Sequence, residues 1–427
     1  RDIASGTSSR SSKMFHGGLR YLEQLEFGLV REALKERELS LRLLAPPHLV
    51  KPLPFLYPLT QRVWERPYVA AGIFLYDRMG GAKSVPGQRH VTRSGALRVA
   101  PPALKRNSLI GGICYYDTVV DDARHSLTVA RTAANYGAVI RTSTQVIGFL
   151  RESDRVLGVR VRDTENGDVT EVRAHCVINA AGVWTDEVQA LSKQRGHFKV
   201  RASKGVHIVV PRDRIVSETA IILRTANSVL FVIPWETHWI IGTTDTDWNL
   251  DLAHPAATRA DIDYILERVN EVLVTKLNHE DIEGVYAGLR PLLAGEDDET
   301  SKLSREHAVA TVAPPGLVSI AGGKYTTYRV MAADAVDACN DFIPTRVAPS
   351  ITERVPLLGA DGYFALINQC EHLGQRYGLH PYRIRRLLNR YGSLIDDVLY
   401  HASEDKSLLA PLAAAPQYLR VEVVYAA

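Results

Sequence analysis

The sequence predicts an α/β protein with a mixed or antiparallel sheet and a helical C-terminal domain, on three observations. Residues 121–136 read as a helix with Ala123, Leu127, Ala130 and Ala134 on one face, closed by Gly137 and followed by an apolar strand at 138–142. Helix, glycine and strand in that order suggest a parallel α/β layer. Between Val200 and Ile241, β-rich runs at 206–210, 229–233 and 239–241 alternate with turns. Beyond about Ile351 strand signals fade and the pattern is helical, basic at Arg376, Arg383, Arg385, Arg386 and Arg390.

Taken in chain order, the first element is a polar run at 5–18. Gly6, Gly17 and Gly18 free backbone N–H groups, Thr7, Ser8, Ser9, Ser11 and Ser12 add hydroxyls, and Arg10, Lys13 and Arg20 add cations. That is what oxyanion recognition needs. Leu19, Leu22, Leu25, Leu29, Ala33 and Leu34 follow at helical spacing, so a helix over about 20–44 holds His16 and Arg20 at its start. It stops before Pro46 and Pro47, and Pro52, Pro54 and Pro58 punctuate an extended connection to a second unit. Residues 62–102, with turns at Gly80–Gly81 and Pro86–Gly87, read as the first half of a substrate-covering domain.

Further on, 156–161 and 169–172 form a hairpin across Asn166 and Gly167. A short apolar strand from Cys176 breaks at the small-residue turn Asn179, Ala180, Ala181, Gly182. A helix is expected at 259–278, with Ile262, Ile265, Leu266, Val269, Val272 and Leu273 as its apolar stripe. The segment 320–329 reads as a strand, two glycines (Gly322, Gly323), Lys324, and a helix capped by Thr326 and Thr327, whose positive end faces whatever lies above the loop. Lys324 there is poor packing material and a good phosphate ligand. Arg290, fixed by Pro291, supplies a second cation, for which the acidic run 296–299 is an alternative surface partner; Arg305 is a fourth cation. His16 and His207 are the two candidates for a base working near neutral pH.

Composition bounds the rest. A chain of 427 residues, 46% hydrophobic and 23% charged, is long enough for two or three domains with sizeable cores. The net charge of +3 is too small to imply nucleic-acid binding. Four cysteines, Cys114, Cys176, Cys339 and Cys370, show neither C-x-x-C nor metal-ligand spacing, so reduced thiols and no metal are expected. No apolar run approaches the roughly 18 residues that span a bilayer, so membrane contact is expected to be peripheral.

The polar run, read with the segments at 179–184, 288–292 and 320–329, closely resembles the FAD-dependent glycerol-3-phosphate dehydrogenases, the aerobic bacterial type and its mitochondrial relatives, over most of the chain. The resemblance implies an FAD-binding, Rossmann-like two-domain flavoprotein of the glutathione-reductase and D-amino-acid-oxidase kind. Its cofactor domain is expected from 1–50, 118–190 and 300–345, its mixed-sheet substrate domain from 51–117 and 191–299, and its helical domain from 351–427. FAD is expected to meet Ser5, Gly6, Thr7, Ser8, Ser9, Ser11, Ser12, Lys13, His16, Gly17, Gly18, Val146, Ala180, Ala181, Gly182, Trp184, Gly322, Gly323, Lys324, Tyr325, Thr326 and Thr327. The positive helix end near Thr326 would stabilise the anion that forms on flavin reduction.

Glycerol 3-phosphate is expected on Arg20, Tyr21, Arg290, Lys324, Thr326 and Arg305, with His16, His207 and Arg290 catalytic. Thr243, Thr244 and Asp245 resemble a substrate-domain segment and receive no catalytic role. The resemblance further implies electron delivery to membrane quinone and peripheral attachment to the inner face of the bacterial cytoplasmic membrane; Arg383–Arg390 form a candidate contact with anionic lipid, and a homodimer is compatible with it. Family members open with a strand, a Gly-x-Gly-x-x-Gly turn and a helix. No Gly-x-Gly occurs here, so that unit is expected to precede the residues given. Two rivals stay open: an oxidase of the same fold that makes hydrogen peroxide, and an FAD-free phosphate-binding fragment. Three convergent cations argue against an amino-acid substrate, which would need one arginine for its carboxylate.

Overall fold

A computed structural model describes residues 2–60, 64–80, 84–100, 103–105, 107, 109–193, 199–225, 229–294, 306–311 and 314–426. The chain divides into two compact units. One comprises 1–38, 52–123 and 141–352; the other comprises 39–51, 124–140 and 353–427.

The first unit is built on a mixed sheet. Its strands are β1 (Met14–Phe15), β2 (Val50–Leu59), β3 (Arg89–Thr92) and β4 (Gly111–Val120), which share the sheet with later ones; β5 (Thr144–Glu152), β6 (Arg155–Asp163) and β7 (Val169–Arg173) form a separate antiparallel sheet. β8 (Val177–Asn179) is followed by β9 (Val200–Pro211), β10 (Ala220–Arg224), β11 (Val229–Trp235), β12 (His238–Gly242), β13 (Thr246–Asp247) and β14 (Gly284–Leu293). β15 (His307–Ala310) and β16 (Leu317–Gly322) complete the set, and β16 lies between β15 and β8 in a small sheet, parallel to β8. The large sheet runs β1-β4-β2-β10-β11-β12-β9-β13, with β14 also on β9 and β3 on β4. In it β2 and β10 pair in parallel, whereas β1–β4, β3–β4, β10–β11, β11–β12, β12–β9, β13–β9 and β14–β9 are antiparallel.

β9 shows why this sheet can carry a site. Its side chains alternate between the two faces, so Val206, Ile208 and Val210 enter the main apolar core, while Gly205 and His207 line a cavity on the other face. Helix α7 (Arg259–Asn270), which follows α1 (Arg20–Glu23), α2 (Phe27–Leu39), α3 (Glu65–Met79), α4 (Arg93–Val99), α5 (Asp122–Asn135) and α6 (Thr185–Ala190) along the chain, packs Ile265, Leu266 and Val269 into that same core. Thr258 caps α7 by a reciprocal box with Asp261. Lys204, on the core side of β9, reaches the same Asp261 at 2.7 Å.

Three expected elements are corrected. The helix expected at 20–44 breaks: Leu25 takes a left-handed φ of 61°, is exposed, and separates α1 from α2, after which a wider turn at Ser40–Leu44 closes the element before Pro46. Leu29, Val30, Ala33 and Leu34 keep the buried stripe. The helix expected at 259–278 ends at Asn270, whose side chain accepts the Leu277 N–H (2.8 Å) and donates to the Leu277 carbonyl (2.7 Å), folding the chain back. Leu273 and Leu277 still reach the core. The strand expected at 138–142 does not form, although Gly137 (φ 91°) stops α5 as expected. No described strand offers that segment a ladder, and Val139 is left exposed; helix, glycine and strand therefore build no parallel layer here.

After α8 (Tyr328–Asp337), the second unit gathers α9 (Tyr363–Ile367), α10 (Cys370–Tyr377), α11 (Pro381–Tyr391), α12 (Ile395–Tyr400) and α13 (Arg420–Ala426) around Ile384, Leu387, Leu388, Ile395, Val398 and Val421. Three of its arginines have internal partners. Arg386 and Arg390 converge on Glu422 at 2.6 and 3.4 Å, and Arg383 donates to the Pro416 and Gln417 carbonyls. The four cysteines are free thiols. Among the described residues no helix is long and apolar enough to cross a membrane.

Candidate active site

A cavity of about 690 Å³ lies in the first unit, within the range of cofactor and small-molecule sites. One wall is the β9–β14 ladder, where His207 pairs with Tyr286, Gly205 with Gly288, and Ser203 with Arg290. The two facing glycines keep this wall low. A Cβ on Gly205 would lie 2.4 Å from Arg290 Nη2, and one on Gly288 would lie 2.3 Å from the Arg10 carbonyl oxygen. Any larger residue would displace the arginine or the polar run.

Arg290 is held from several sides. Its guanidinium donates to Thr243 Oγ1 (2.9 Å), the Thr244 carbonyl (3.1 Å) and Ser203 Oγ (3.3 Å), and Asp245 lies 3.6 Å away. Ser203 Oγ in turn donates to Asp245. The segment 243–245, which carried no assigned role, is thus what fixes the arginine. Its only sequence signal is two hydroxyls and an acid at the end of an apolar strand.

The opposite wall comes from the polar run and the start of α8. Thr7, Ser8, Ser11, Ser12, His16, Gly18 and Tyr21 line it, with Gly322, Gly323, Lys324, Tyr325 and Thr326; Ala180 and Gly182 close one end. Lys324 Nζ donates to the Gly17 carbonyl (3.3 Å) and sits 4.2 Å from the Tyr21 ring centre. The expected capping of α8 by the Thr326 and Thr327 side chains does not occur. A tight turn at Tyr325–Thr327 precedes the helix, Thr326 Oγ1 bridges the His16 N–H and carbonyl (3.2 and 3.3 Å), and Thr327 Oγ1 donates to the Lys324 carbonyl. The threonines therefore dock the His16 loop.

Much of the polar run is tied within the protein. Lys13 Nζ pairs with buried Asp122 at 2.7 Å, Ser11 Oγ donates to the same carboxylate, and Thr7 Oγ1 donates to the Leu289 carbonyl. Ser5 bonds Asp2, and Gly6 packs beside Trp184, outside the cavity. Ser9, Lys13, Gly17, Val146, Ala181 and Thr327 also fall outside its lining. Arg305 and the acidic run 296–299 lie outside the described residues, as does the side chain of Arg20, whose backbone opens α1. Asp117 and Tyr115, which the sequence reading missed, line the cavity; a lone acid inside the apolar strand 111–120 was the available signal.

The two histidines differ. His16 lines the cavity with its ring edge-on to Phe231, 6.0 Å between centres. His207 is buried, stacked on Tyr286 at 4.8 Å, and its Nε2 lies 2.9 Å from Ser12 Oγ. Burial first, then Arg290 and Lys13, push its pKa down to about 3. An unfolded imidazole titrates near 6.5, so between those values the unfolded state binds more protons. The stability His207 contributes is complete above about 6.5 and is lost as pH falls through that window. Acidifying from pH 7 to pH 5 is expected to cost about 2 kcal/mol through this residue, read as a lower urea midpoint that His207→Gln makes less pH-dependent.

The donors fit a dinucleotide-flavin: a glycine-cleared wall on one side, and on the other a polar run and the start of a helix. The comparisons agree with that class. The family described as FAD dependent oxidoreductase matches residues 1–329, and the C-terminal domain of alpha-glycerophosphate oxidase matches residues 350–427. The chain is 78% identical over 427 residues to "Glycerol-3-phosphate dehydrogenase 2" of Mycobacterium tuberculosis, covering all of this chain and 72% of that protein. It is 36% identical over 421 residues to the human "Glycerol-3-phosphate dehydrogenase, mitochondrial", covering 94% of this chain and 57% of that one. A crystal structure of the glycerol-3-phosphate dehydrogenase from Bacillus halodurans complexed with FAD superposes with a TM-score of 0.78 at 29% identity, over 100% of this chain and 76% of that one. The chain belongs to the family of FAD-dependent glycerol-3-phosphate dehydrogenases, and FAD is its cofactor.

Proposed function

We propose that this protein oxidises sn-glycerol 3-phosphate to dihydroxyacetone phosphate and passes the electrons to membrane quinone. The observation that carries the substrate is the convergence of Arg290, on β14, and Lys324, in the turn after β16, on one cavity. A phosphate dianion buried without such partners would cost several kcal/mol. Bound FAD supplies the hydride acceptor for the substrate's C2. Arg290 and Lys324, with Arg20 and Tyr21 from α1, hold the phosphate, and Thr326 keeps the His16 loop against the cavity.

His16 takes the hydroxyl proton in this reading. His207, with its low proton affinity and its Nε2 shared with Ser12, is better suited to keep Ser12 and Tyr286 in place. The cofactor is assigned to 1–50, 118–190 and 300–345, and the substrate to 51–117 and 191–299.

For the membrane, the outer face of α3 is better suited than α11, whose Arg383, Arg386 and Arg390 have internal partners. Trp64, Tyr68, Phe74 and Leu75 stand exposed along or beside that helix, with Arg78 among them. Anaerobic addition of stoichiometric glycerol 3-phosphate to the flavin-loaded protein is expected to bleach the visible flavin band. Anionic vesicles carrying quinone should then restore it quickly, and Phe74→Asp should slow that step. A flavin that stays yellow ends the substrate assignment; recovery with oxygen alone and not with quinone replaces the dehydrogenase by an oxidase. Equal recovery by Phe74→Asp removes α3 from the docking surface.

A further inference from the structure

Beside the cavity lies a buried polar relay that the reaction as described does not use. α2 supplies Arg37, α3 supplies Tyr76 and β4 supplies Asp117, and the side chains of Arg37 and Asp117 are 2% and 4% exposed. Arg37 Nη1 donates to Asp117 Oδ1 at 2.7 Å and to the Tyr116 carbonyl at 3.2 Å. Tyr76 Oη donates to the Asp117 carboxylate, 2.9 Å from Oδ2 and 3.1 Å from Oδ1. The same oxygen accepts the Gly17 N–H at 2.7 Å.

The direction of these bonds is forced. A phenol has one proton to give, and an ionised carboxylate only accepts, so Asp117 takes that proton and turns the Tyr76 lone pairs toward Gly17. The guanidinium of Arg37 keeps the carboxylate charged in an apolar core formed by Leu34, Val30 and Tyr76 itself. Gly17 connects this relay to the cavity. Its N–H points to Tyr76, while its carbonyl accepts Lys324 Nζ at 3.3 Å.

We propose that Arg37, Asp117 and Tyr76 are positioning residues that act through the Gly17 peptide to hold Lys324 at the substrate phosphate. The proposal rests on Lys324 being a phosphate ligand. Without the phenol oxygen, the Gly17 N–H is buried with no acceptor, the peptide turns to find one, and the carbonyl that holds Lys324 moves with it. Substrate binding then weakens while the flavin and the reacting groups stay as they were.

The test is a double-mutant cycle on the flavin-loaded enzyme, comparing Tyr76→Phe, Lys324→Ala and the two combined. Tyr76→Phe is expected to keep its FAD content and raise the KM for glycerol 3-phosphate about five- to tenfold, with kcat changed by less than about twofold. Lys324→Ala should raise the KM further, and in its presence Tyr76→Phe should add nothing. Additive effects would mean that Tyr76 supports the fold alone, and overturn the proposal. An unchanged KM in Tyr76→Phe, with Lys324→Ala impaired, overturns it and leaves the substrate reading standing. An unaffected Lys324→Ala removes the phosphate ligand, and the proposal with it. Should Tyr76→Phe not fold, Asp117→Asn serves in its place. It offers Tyr76 a donor as well as an acceptor, so the phenol is no longer forced toward Gly17. An intermediate rise in KM is expected from it, and an unchanged KM overturns the proposal.

Discussion

Arg290→Ala is expected to raise the KM for glycerol 3-phosphate at least about tenfold, and to lower kcat/KM by between about tenfold and a hundredfold. That corresponds to one charged contact of about 1.5–3 kcal/mol. The size follows from how the arginine is held. Thr243, the Thr244 carbonyl, Ser203 and Asp245 fix the guanidinium before substrate arrives, so little side-chain entropy remains to be lost on binding. Arg290→Lys should recover only part of the loss, because an ammonium cannot keep the fork that spans Thr243 and Ser203. Steady-state kinetics on flavin-loaded protein decide the matter, and an unchanged KM would take Arg290 out of the site.

The second large effect is on stability. Asp117→Ala leaves the Arg37 guanidinium buried without its carboxylate, and the expected loss is about 3–5 kcal/mol. The pair is sensitive because burial outweighs Arg37 and pushes the Asp117 carboxyl up to about 6. Neither charge is stable there alone. Replacing both partners, as Arg37→Met with Asp117→Leu, removes the uncompensated charge and should recover much of the loss. Urea unfolding of the flavin-loaded protein at pH 7 separates the cases. A midpoint for Asp117→Ala close to that of the parent would mean that the pair contributes little.

The elements most legible in the sequence are those whose determinants are local. The Asn166–Gly167 hairpin, the Gly137 stop and the Thr258 start of α7 each depend on a few adjacent residues, and each is where the sequence puts it or within a residue or two. What failed depends on partners far along the chain. Residues 138–142 have a strand's composition and no neighbouring strand. Thr326 looks like a cap until the His16 loop, 310 residues away, takes its hydroxyl. Within the site, Lys324 and His16 could be named because each adjoins a glycine pair, Arg290 because Pro291 fixes the chain after it, and His207 as an imidazole able to act as a base near neutral pH. Asp117, Tyr76 and the 243–245 segment could not, because their meaning lies in which groups they meet across the fold.

The two walls of the cavity also differ in how firmly they are made. Arg290 and His207 stand on a ladder of ten consecutive pairs, with β12 bonded to the far edge of β9. His16 follows a two-residue strand, and Tyr21 stands on a four-residue helix after which the chain turns at the left-handed Leu25. Sheet interiors open only near global unfolding, whereas short end segments open at far lower free energy. The β-side therefore acts as an anvil whose shape does not depend on what is bound. Accommodation to a ligand, and the route by which one enters or leaves, falls to the side built from residues 16–25.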